Sequence, residues 1–76
     1  KDDIAIINLS KEAIVNMSAT KEQATLEGII ATITQIPSIN KINILVDNQM
    51  VDSLGGNFDI SKPFGKEDIP NLKINN

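Results

Sequence analysis

The sequence lacks the residues that form disulfides and most protein metal sites. Its 76 residues include no cysteine and no histidine, which excludes disulfides, thiolate zinc sites and imidazole metal sites. A chain this short buries only about 60% of the surface that its unfolded form exposes, and small domains without such crosslinks commonly rely on a partner surface. We therefore expect no metal, no cofactor and a tendency to associate.

Arginine, tryptophan and tyrosine are also absent, and the only aromatic side chains are Phe58 and Phe64. The net charge is -3, whereas a nucleic-acid surface is basic and commonly uses arginine forks or stacked aromatic rings. A KH-like nucleic-acid binder would also need a G-x-x-G loop, which the sequence does not contain. The composition predicts that nucleic acid is not a partner.

Long apolar runs are missing as well. No stretch approaches the length of a membrane span, and no signal-peptide pattern is visible. The chain begins with lysine rather than methionine, so a targeting segment would lie upstream of it. We expect any membrane attachment to depend on an anchor outside this chain.

What the chain does contain is the pattern of a strand, a helix and two further strands. Apolar residues on both faces predict a strand at Ile4–Leu9. Thr20 and Gln23 fit a helix capping box, and Pro37 predicts that the helix ends at Ile36. Alternation predicts strands at Ile42–Val46 and Met50–Ser53, separated by a tight turn. This order predicts an α+β fold, a small mixed β-sheet in β-α-β-β order with one amphipathic helix packed on one face.

The predicted helix carries two different stripes. An apolar stripe faces the sheet and consists of Leu26, Ile29, Ile30, Ile33 and Ile36. A second stripe of small residues consists of Ala24, Gly28 and Ala31. Small residues allow another backbone to approach closely, although a glycine can also simply be tolerated in a helix at a cost of about 1 kcal/mol. We name this stripe, with Ile4, Ile6, Ile7 and Leu9 of the first strand, as the candidate protein interface.

The C-terminal third has weaker signals. Gly55 and Gly56 end the last predicted strand, and Asn57–Phe64 is expected to be an extended segment at the rim, because Pro63 is unsuited to a central strand. Residues 69–76 are expected to be a tail or linker with weak anchors at Ile69 and Leu72. The predicted domain therefore covers residues 1–68.

No motif predicts catalysis. A calcium loop starting at Asp47 fails because Gln49 and Val51 occupy ligand positions, and a phosphate loop ending at Gly65 fails because Ile60 stands where glycine is needed. The carboxylates of the loops are more typical of a solvated surface than of an acid–base pair. A lysine-based nucleophile stays open, but we expect that the chain is not an enzyme and has no catalytic residue.

The segment IIATITQIPSINKINILVDNQMVDSLGGNFDISKPF resembles the sporulation and spore germination domain family often called GerMN. The matching features are an apolar helix with a Thr-rich end, a proline, an apolar strand with a turn, Leu-Gly-Gly, and an Asp followed by Ser-x-Pro. In this chain they are Thr32 to Thr34, Pro37, Ile42 to Asp47, Leu54-Gly55-Gly56, Asp59 and Ser61 to Pro63. With DDIAIINLS as the family's second strand, the resemblance covers Asp2 to Phe64.

Two departures from the family pattern are informative. The turn glycine of the family is Asn48 here, and asparagine also tolerates a positive φ. Family members carry a further helix and strand upstream, so this chain resembles the C-terminal half of the domain. The resemblance then implies that the first strand and the small-residue stripe were surfaces for a missing upstream segment, or that the chain self-associates through the first strand.

The resemblance also implies a function. Family members are extracytoplasmic, often lipoproteins, and are similar to the ring-building modules of spore channel and secretion assemblies. We therefore expect a non-catalytic protein-interaction module that helps to assemble an envelope complex during sporulation or germination, membrane-anchored or in the spore envelope. The alternative is a peptidoglycan or small-ligand binding module of a cell-wall-associated lipoprotein, which would need a deep pocket.

Overall fold

The computed structural model of the protein describes residues 3–74, and residues 1, 2, 75 and 76 lie outside the described range. The elements in chain order are strand β1 (Ile4–Leu9), helix α1 (Ala19–Ile33), strand β2 (Lys41–Val46) and strand β3 (Gln49–Met50). One short 3-10 helix, Lys11–Ala13, lies between β1 and α1, and a second, Lys66–Leu72, follows β3 in the C-terminal third. The three strands and the helix follow the predicted order.

The sheet is mixed, with the strand order β1-β2-β3. β1 runs parallel to β2 in a continuous register from the pair Ile4–Lys41 to the pair Leu9–Val46. β3 is antiparallel to β2, and Leu45 lies opposite Met50. A parallel pair needs a crossover connection, and α1 lies within it. The predicted α+β class with a small mixed sheet is confirmed.

The turn between β2 and β3 is built from Asp47 and Asn48, both with positive φ, at 50° and 66°. Two central residues of this kind form the turn type whose twist matches a two-residue hairpin. The Asn48 amide donates to Asn8 Oδ1 at 2.9 Å, and Asn8 Nδ2 donates back to Asn48 Oδ1. Asn48 therefore adopts the positive φ expected for this turn and also ties the turn to the end of β1.

The third strand is shorter than predicted. The expectation of a strand at Met50–Ser53 is wrong, since β3 comprises only Gln49–Met50. Beyond Met50 the chain leaves the sheet, because the hydroxyl of Ser53 bonds to a side chain of α1. A tertiary hydrogen bond has replaced the strand pairing that alternation favoured.

The helix limits also differ from the prediction. Ser18, not Thr20, caps α1, and its Oγ accepts a hydrogen bond from Lys21 N at 3.1 Å. Serine is among the preferred N-cap residues, so the competing cap two residues upstream formed instead. The helix ends at Ile33, and the next residue, Thr34, donates its hydroxyl to Ile30 O at 2.7 Å. Pro37 lies three residues beyond Thr34 and does not set this end.

The core forms between α1, the inner face of β2 and the C-terminal third. Its fully or almost fully buried apolar residues are Leu26, Ile30, Ile42, Ile44, Val46, Leu54, Phe58, Ile60, Phe64 and Ile69. Of the predicted helix stripe, Leu26 and Ile30 belong to this core, while Ile29 and Ile33 are half-buried. Ile36 is 52% exposed and lies beyond the helix, so its assignment to the stripe is wrong.

The rim prediction for Asn57–Phe64 is also wrong. Phe58, Ile60 and Phe64 are each exposed by 1% or less, and Phe64 exchanges two 2.9 Å backbone hydrogen bonds with Ile42. Phe64 therefore continues the sheet along β2 at the end that β3 does not reach. Both aromatic side chains of the protein are used for packing.

Residues 69–74 are packed rather than weakly anchored. Ile69 is fully buried, and Leu72 and Ile74 are half-buried. Asp59 N donates to Leu72 O and Ile74 N donates to Asn57 O, each at 2.8 Å. These bonds attach the segment to the middle of the C-terminal third. The division into a domain of residues 1–68 and a tail of residues 69–76 stays a prediction.

Candidate interaction surface

The outer face of the sheet, which faces away from α1, carries large apolar side chains. Alternation along the strands places Ile4, Ile6, Leu45 and Met50 on this face, and we call these four residues the outer sheet face. Ile6 is 66% exposed and Met50 is 64% exposed. Asn43 lies beside Ile6, and its Oδ1 is buried without a hydrogen-bond partner among the described residues. Ile6 and Met50 are therefore exposed apolar side chains on a face where Ile4 and Leu45 are half-buried. The same register also places the polar side chains of Lys41, Asn43 and Asn8 on this face.

The free edge of β1 borders this face. Among the described residues, β1 pairs only with β2, whereas β2 pairs with β1 on one side and with β3 and Phe64 on the other. The β1 register has no bulge, and the strand IAIINL contains no charge, no proline and no glycine. Natural edge strands are usually protected by such features against pairing with another chain. This edge has none of them.

The predicted interface residues of β1 fall on both faces. Ile4 and Ile6 lie on the outer sheet face, while Ile7 and Leu9 are half-buried against the core. The inner side of β1 is therefore less covered than that of β2, whose Ile42 and Ile44 are 0% and 1% exposed. The structure brings Ile4 and Ile6 together with Leu45 and Met50, which sequence reasoning did not include.

The small-residue stripe is placed on the solvent side of α1. Ala24, Gly28 and Ala31 are exposed, and a Cβ added to Gly28 would meet nothing within 4 Å. A shallow open groove of about 400 Å³ lies over Gly28, between Thr25, Ile29, Thr32 and Ile33. Within residues 3–74 no other backbone comes close to Gly28, so the assignment of this stripe as an interface stays a prediction.

A buried carboxylate connects the start of α1 to the glycine loop, and sequence reasoning missed it. Glu22 is 0% exposed and accepts hydrogen bonds from Ser53 Oγ at 2.9 Å and from both the backbone N and the Nδ2 of Asn57 at 3.0 Å. Asn57 Nδ2 also reaches Met17 O at 2.8 Å, and Gly56 N donates to Ser53 Oγ at 2.8 Å. These bonds fix the loop 53–57 against the helix.

The Glu22 carboxylate is held in its charged form. Burial raises the pKa of this group, but hydrogen bonds from the Gly55 amide, the Ser53 hydroxyl and Asn57 outweigh burial and leave the pKa below its usual value. Gly55 is required by the same contact, because a Cβ there would lie 2.6 Å from Met17 Cγ and 2.8 Å from Glu22 Oε1. The cluster is therefore structural: the donors of Ser53 and Asn57 hold the Glu22 carboxylate and connect the loop to α1.

The second glycine of the Leu-Gly-Gly segment has a different role. Gly56 has a φ of 87°, in the left-handed region that favours glycine, and nothing lies within 4 Å of its missing side chain. Glycine is therefore needed at position 55 because no side chain fits there, and at position 56 because of the backbone conformation. The partners of Glu22 lie 31 to 35 positions away in the chain, so no local pattern could have identified the cluster.

The acidic side chains that the structure describes do not cluster. Within residues 3–74, no three acidic side chains come together as a metal ion would require. A second shallow groove of about 360 Å³ lies between Ile14–Asn16 and Asp52–Gly56, and it is open to solvent. None of the helices in this range combines the length and hydropathy that a membrane crossing requires. The expectation that the chain is not an enzyme stays a prediction.

Comparison with known proteins identifies the family. The search of curated proteins gave no significant match. The family model Germane, described as sporulation and spore germination, matches residues 1–52, which is about two thirds of the chain and includes β1, α1, β2 and β3. The part of the resemblance carried by Leu54 to Pro63 lies beyond the matched range and stays a prediction. The chain belongs to the Germane family of sporulation and spore germination proteins.

Proposed function

We propose that the chain is a non-catalytic protein-interaction module that helps to assemble a sporulation or germination complex. The observation that carries the proposal is the outer sheet face, where Ile6 and Met50 are two-thirds exposed beside Ile4 and Leu45. Large apolar side chains exposed together on one face and bordered by polar residues mark protein interaction sites. Membership of a sporulation and germination family supplies the biological setting.

The alternative function, peptidoglycan or small-ligand binding, has less support from the geometry. Ligand sites usually enclose most of the ligand surface. The groove over Gly28 and the groove beside Gly55 are both shallow and open. The exposed apolar area instead lies on a sheet face, a shape that suits a protein surface.

In this proposal the binding partners of the chain are proteins of an extracytoplasmic envelope complex. An anchor outside this chain would attach it to the membrane. The proposal is tested in the spore-forming cells that make the protein, with a photo-cross-linking amino acid at position 50. We expect a covalent adduct with another protein during sporulation or germination. The same residue introduced at Lys62, an exposed loop position, is the matched control.

A substitution supplies the functional half of the test. Met50→Asp places a charge on the outer sheet face, and we expect slower spore formation or germination at an unchanged protein level. Lys62→Asp should leave both processes unchanged. Normal spores and normal germination with Met50→Asp, together with no adduct at position 50 beyond that at position 62, would contradict the proposal.

A further inference from the structure

We propose that Met50 is a site of reversible oxidation by peroxides, and that its sulfoxide form weakens binding at the outer sheet face. The chemical half of this inference stands on the different environments of two methionines. The regulatory half rests on the proposed function, because it needs the outer sheet face to bind another protein.

Methionine is the only readily oxidised side chain in this sequence. The 76 residues include two methionines, Met17 and Met50, and no cysteine, histidine, tryptophan or tyrosine. A thioether takes up one oxygen atom from a peroxide and becomes a polar sulfoxide, and dedicated enzymes reverse this step. A peroxide that meets the chain therefore reacts at one of these two sulfur atoms.

The two methionines differ in their exposure and packing. Met50 lies in β3, is 64% exposed and is not among the side chains packed against the core of residues 3–74. Met17 is half-buried and packs against the core, and its Cγ lies 2.6 Å from the place of the Cβ that Gly55 lacks. The carbonyl oxygen of Met17 also accepts a hydrogen bond from Asn57 Nδ2 at 2.8 Å. Because oxidation follows access to the sulfur, Met50 should react before Met17.

The exposure of Met50 does not depend on what lies beside β1. The strand order β1-β2-β3 puts Met50 at the edge of the sheet opposite to β1, where it pairs with Leu45 of β2. A further strand beside β1, which the family resemblance implies, would be separated from Met50 by β1 and β2. It would lie about three strand spacings away, or about 14 Å. The oxidation site is therefore independent of the β1 edge.

The oxidation step balances without any further group from the protein. A lone pair of the Met50 sulfur attacks one oxygen of hydrogen peroxide, and the O–O bond breaks as the S–O bond forms. The sulfur is oxidised, and the second oxygen leaves as water after it takes the proton of the transferred oxygen. In the reverse step, two thiols of a methionine sulfoxide reductase supply the electrons. The sulfoxide oxygen then leaves as water, and the two thiols become a disulfide.

The sulfoxide changes the outer sheet face but not the core. Because Met50 does not pack against the core, the added oxygen stays in water in the free chain and leaves the fold unchanged. In a contact that covers Met50, the same oxygen loses its water and needs a hydrogen-bond donor. The apolar side chains of Ile6 and Leu45 on the same face have no donor to offer. Oxidation should therefore weaken the contact by about tenfold or more while the chain remains folded.

The first experiment maps oxidation by mass spectrometry after the folded protein is treated with increasing hydrogen peroxide. We expect the peptide that contains Met50 to gain one oxygen atom before the peptide that contains Met17. In the urea-unfolded chain the two peptides should react at similar rates, because the difference comes from the fold. The singly oxidised protein should keep the amide spectrum of the untreated protein, and a methionine sulfoxide reductase with a thiol reductant should remove the oxygen. Earlier oxidation of Met17, or unfolding when only Met50 is oxidised, would overturn the inference.

The second experiment measures the effect on binding in the spore-forming cells that make the protein. A photo-cross-linking amino acid in place of Ile6 reports the contact on the outer sheet face and leaves Met50 unchanged. A pulse of hydrogen peroxide before illumination should reduce the adduct about tenfold, and Met17→Leu should show the same reduction. In Met50→Leu the adduct, whatever its starting level, should not respond to the pulse. An equal reduction in Met50→Leu would mean that another group is oxidised, and would overturn the regulatory half.

The inference and the proposed function fail separately in this experiment. No adduct at position 6 before peroxide would contradict the proposed function and overturn the regulatory half, whereas the order of oxidation at Met50 and Met17 would still decide the modification site. An adduct that survives peroxide in cells where mass spectrometry finds Met50 oxidised would overturn the regulatory half alone. A reduced adduct that returns when the sulfoxide is repaired is the result we expect.

Discussion

The two faces of the same sheet both carry large apolar side chains, but in opposite environments. On the inner face, Ile42 and Ile44 of β2 are 0% and 1% exposed beneath α1 and the C-terminal third. On the outer face, Ile6 and Met50 are 66% and 64% exposed. The difference teaches that hydrophobicity alone does not decide burial in this chain. The elements available to cover a face decide it, and within residues 3–74 all of them cover the inner face.

The same contrast separates stability from interaction. Buried side chains on the inner face contribute to the folding free energy of the single chain, whereas exposed ones contribute only when another surface covers them. Substitutions on the inner face should therefore change the free energy of unfolding, and substitutions on the outer face should change association. The predictions that follow test this division, beginning with the largest expected effect.

The largest effect is expected in the middle of β2. Ile44→Ala removes a fully buried side chain from the core and should lower the free energy of unfolding by about 2–5 kcal/mol. Met50→Ala, on the outer face, should change it by less than about 0.5 kcal/mol. Urea unfolding at a concentration where the chain is monomeric measures both values. Similar losses for the two variants would mean that the outer face is packed in solution.

A polar substitution tests the connection between α1 and the glycine loop. Glu22→Gln replaces an acceptor-only carboxylate by an amide whose NH₂ group must face other donors, Ser53 and Asn57. We expect a loss of about 1.5–3 kcal/mol of unfolding free energy. Glu67→Gln, at an exposed position, is the control and should have almost no effect.

The charge of Glu22 also predicts a pH dependence. Its pKa is lowered in the folded protein, so the unfolded chain binds the proton more readily and folding favours the ionised form. This contribution is fully present above the ordinary pKa of about 4.5 and is lost as the pH falls through the lower folded value. Unfolding measured between about pH 7 and pH 3 should show wild type losing more stability than Glu22→Gln below the ordinary value of 4.5. Parallel curves for the two proteins would contradict the hydrogen-bond assignment.

The tight packing of the loop 53–57 is tested by adding a single methyl group at Gly55. Gly55→Ala introduces a Cβ at 2.6 Å from Met17 Cγ and 2.8 Å from Glu22 Oε1, so these neighbours must move. Overpacking of this kind should cost about 1–3 kcal/mol. If the Glu22 cluster absorbs the strain, the Asn57 side-chain NH₂ resonances should shift in the variant. A Gly55→Ala protein with wild-type stability and spectra would show that the loop has more room than the structure gives it.

Much of the architecture followed from local patterns, and the rest depended on distant contacts. β1, β2 and the turn at Asp47 were predictable because alternation and turn chemistry act over a few residues. The outer sheet face was not, because the pairing between strands decides that Leu45 and Met50 share a face with Ile6. Phe58 and Ile60 alternate about the exposed Asp59, a signal that could have indicated a buried segment. The Glu22 cluster left no such signal, because its bonds span 31 to 35 positions.

The smallest expected effect lies at Gly28, the glycine inside α1. A Cβ added there would meet nothing within 4 Å, in contrast to one added at Gly55. Gly28→Ala should therefore stabilise the chain by about 1 kcal/mol through helix propensity, and Gly28→Leu should also be tolerated. Thermal unfolding of both variants measures this, with Gly55→Ala as the opposing case. If Gly28→Leu keeps its stability but loses association, then Ala24, Gly28 and Ala31 form an interface with another chain. A loss of monomer stability in Gly28→Ala would instead mean that the solvent side of α1 is packed against the chain itself.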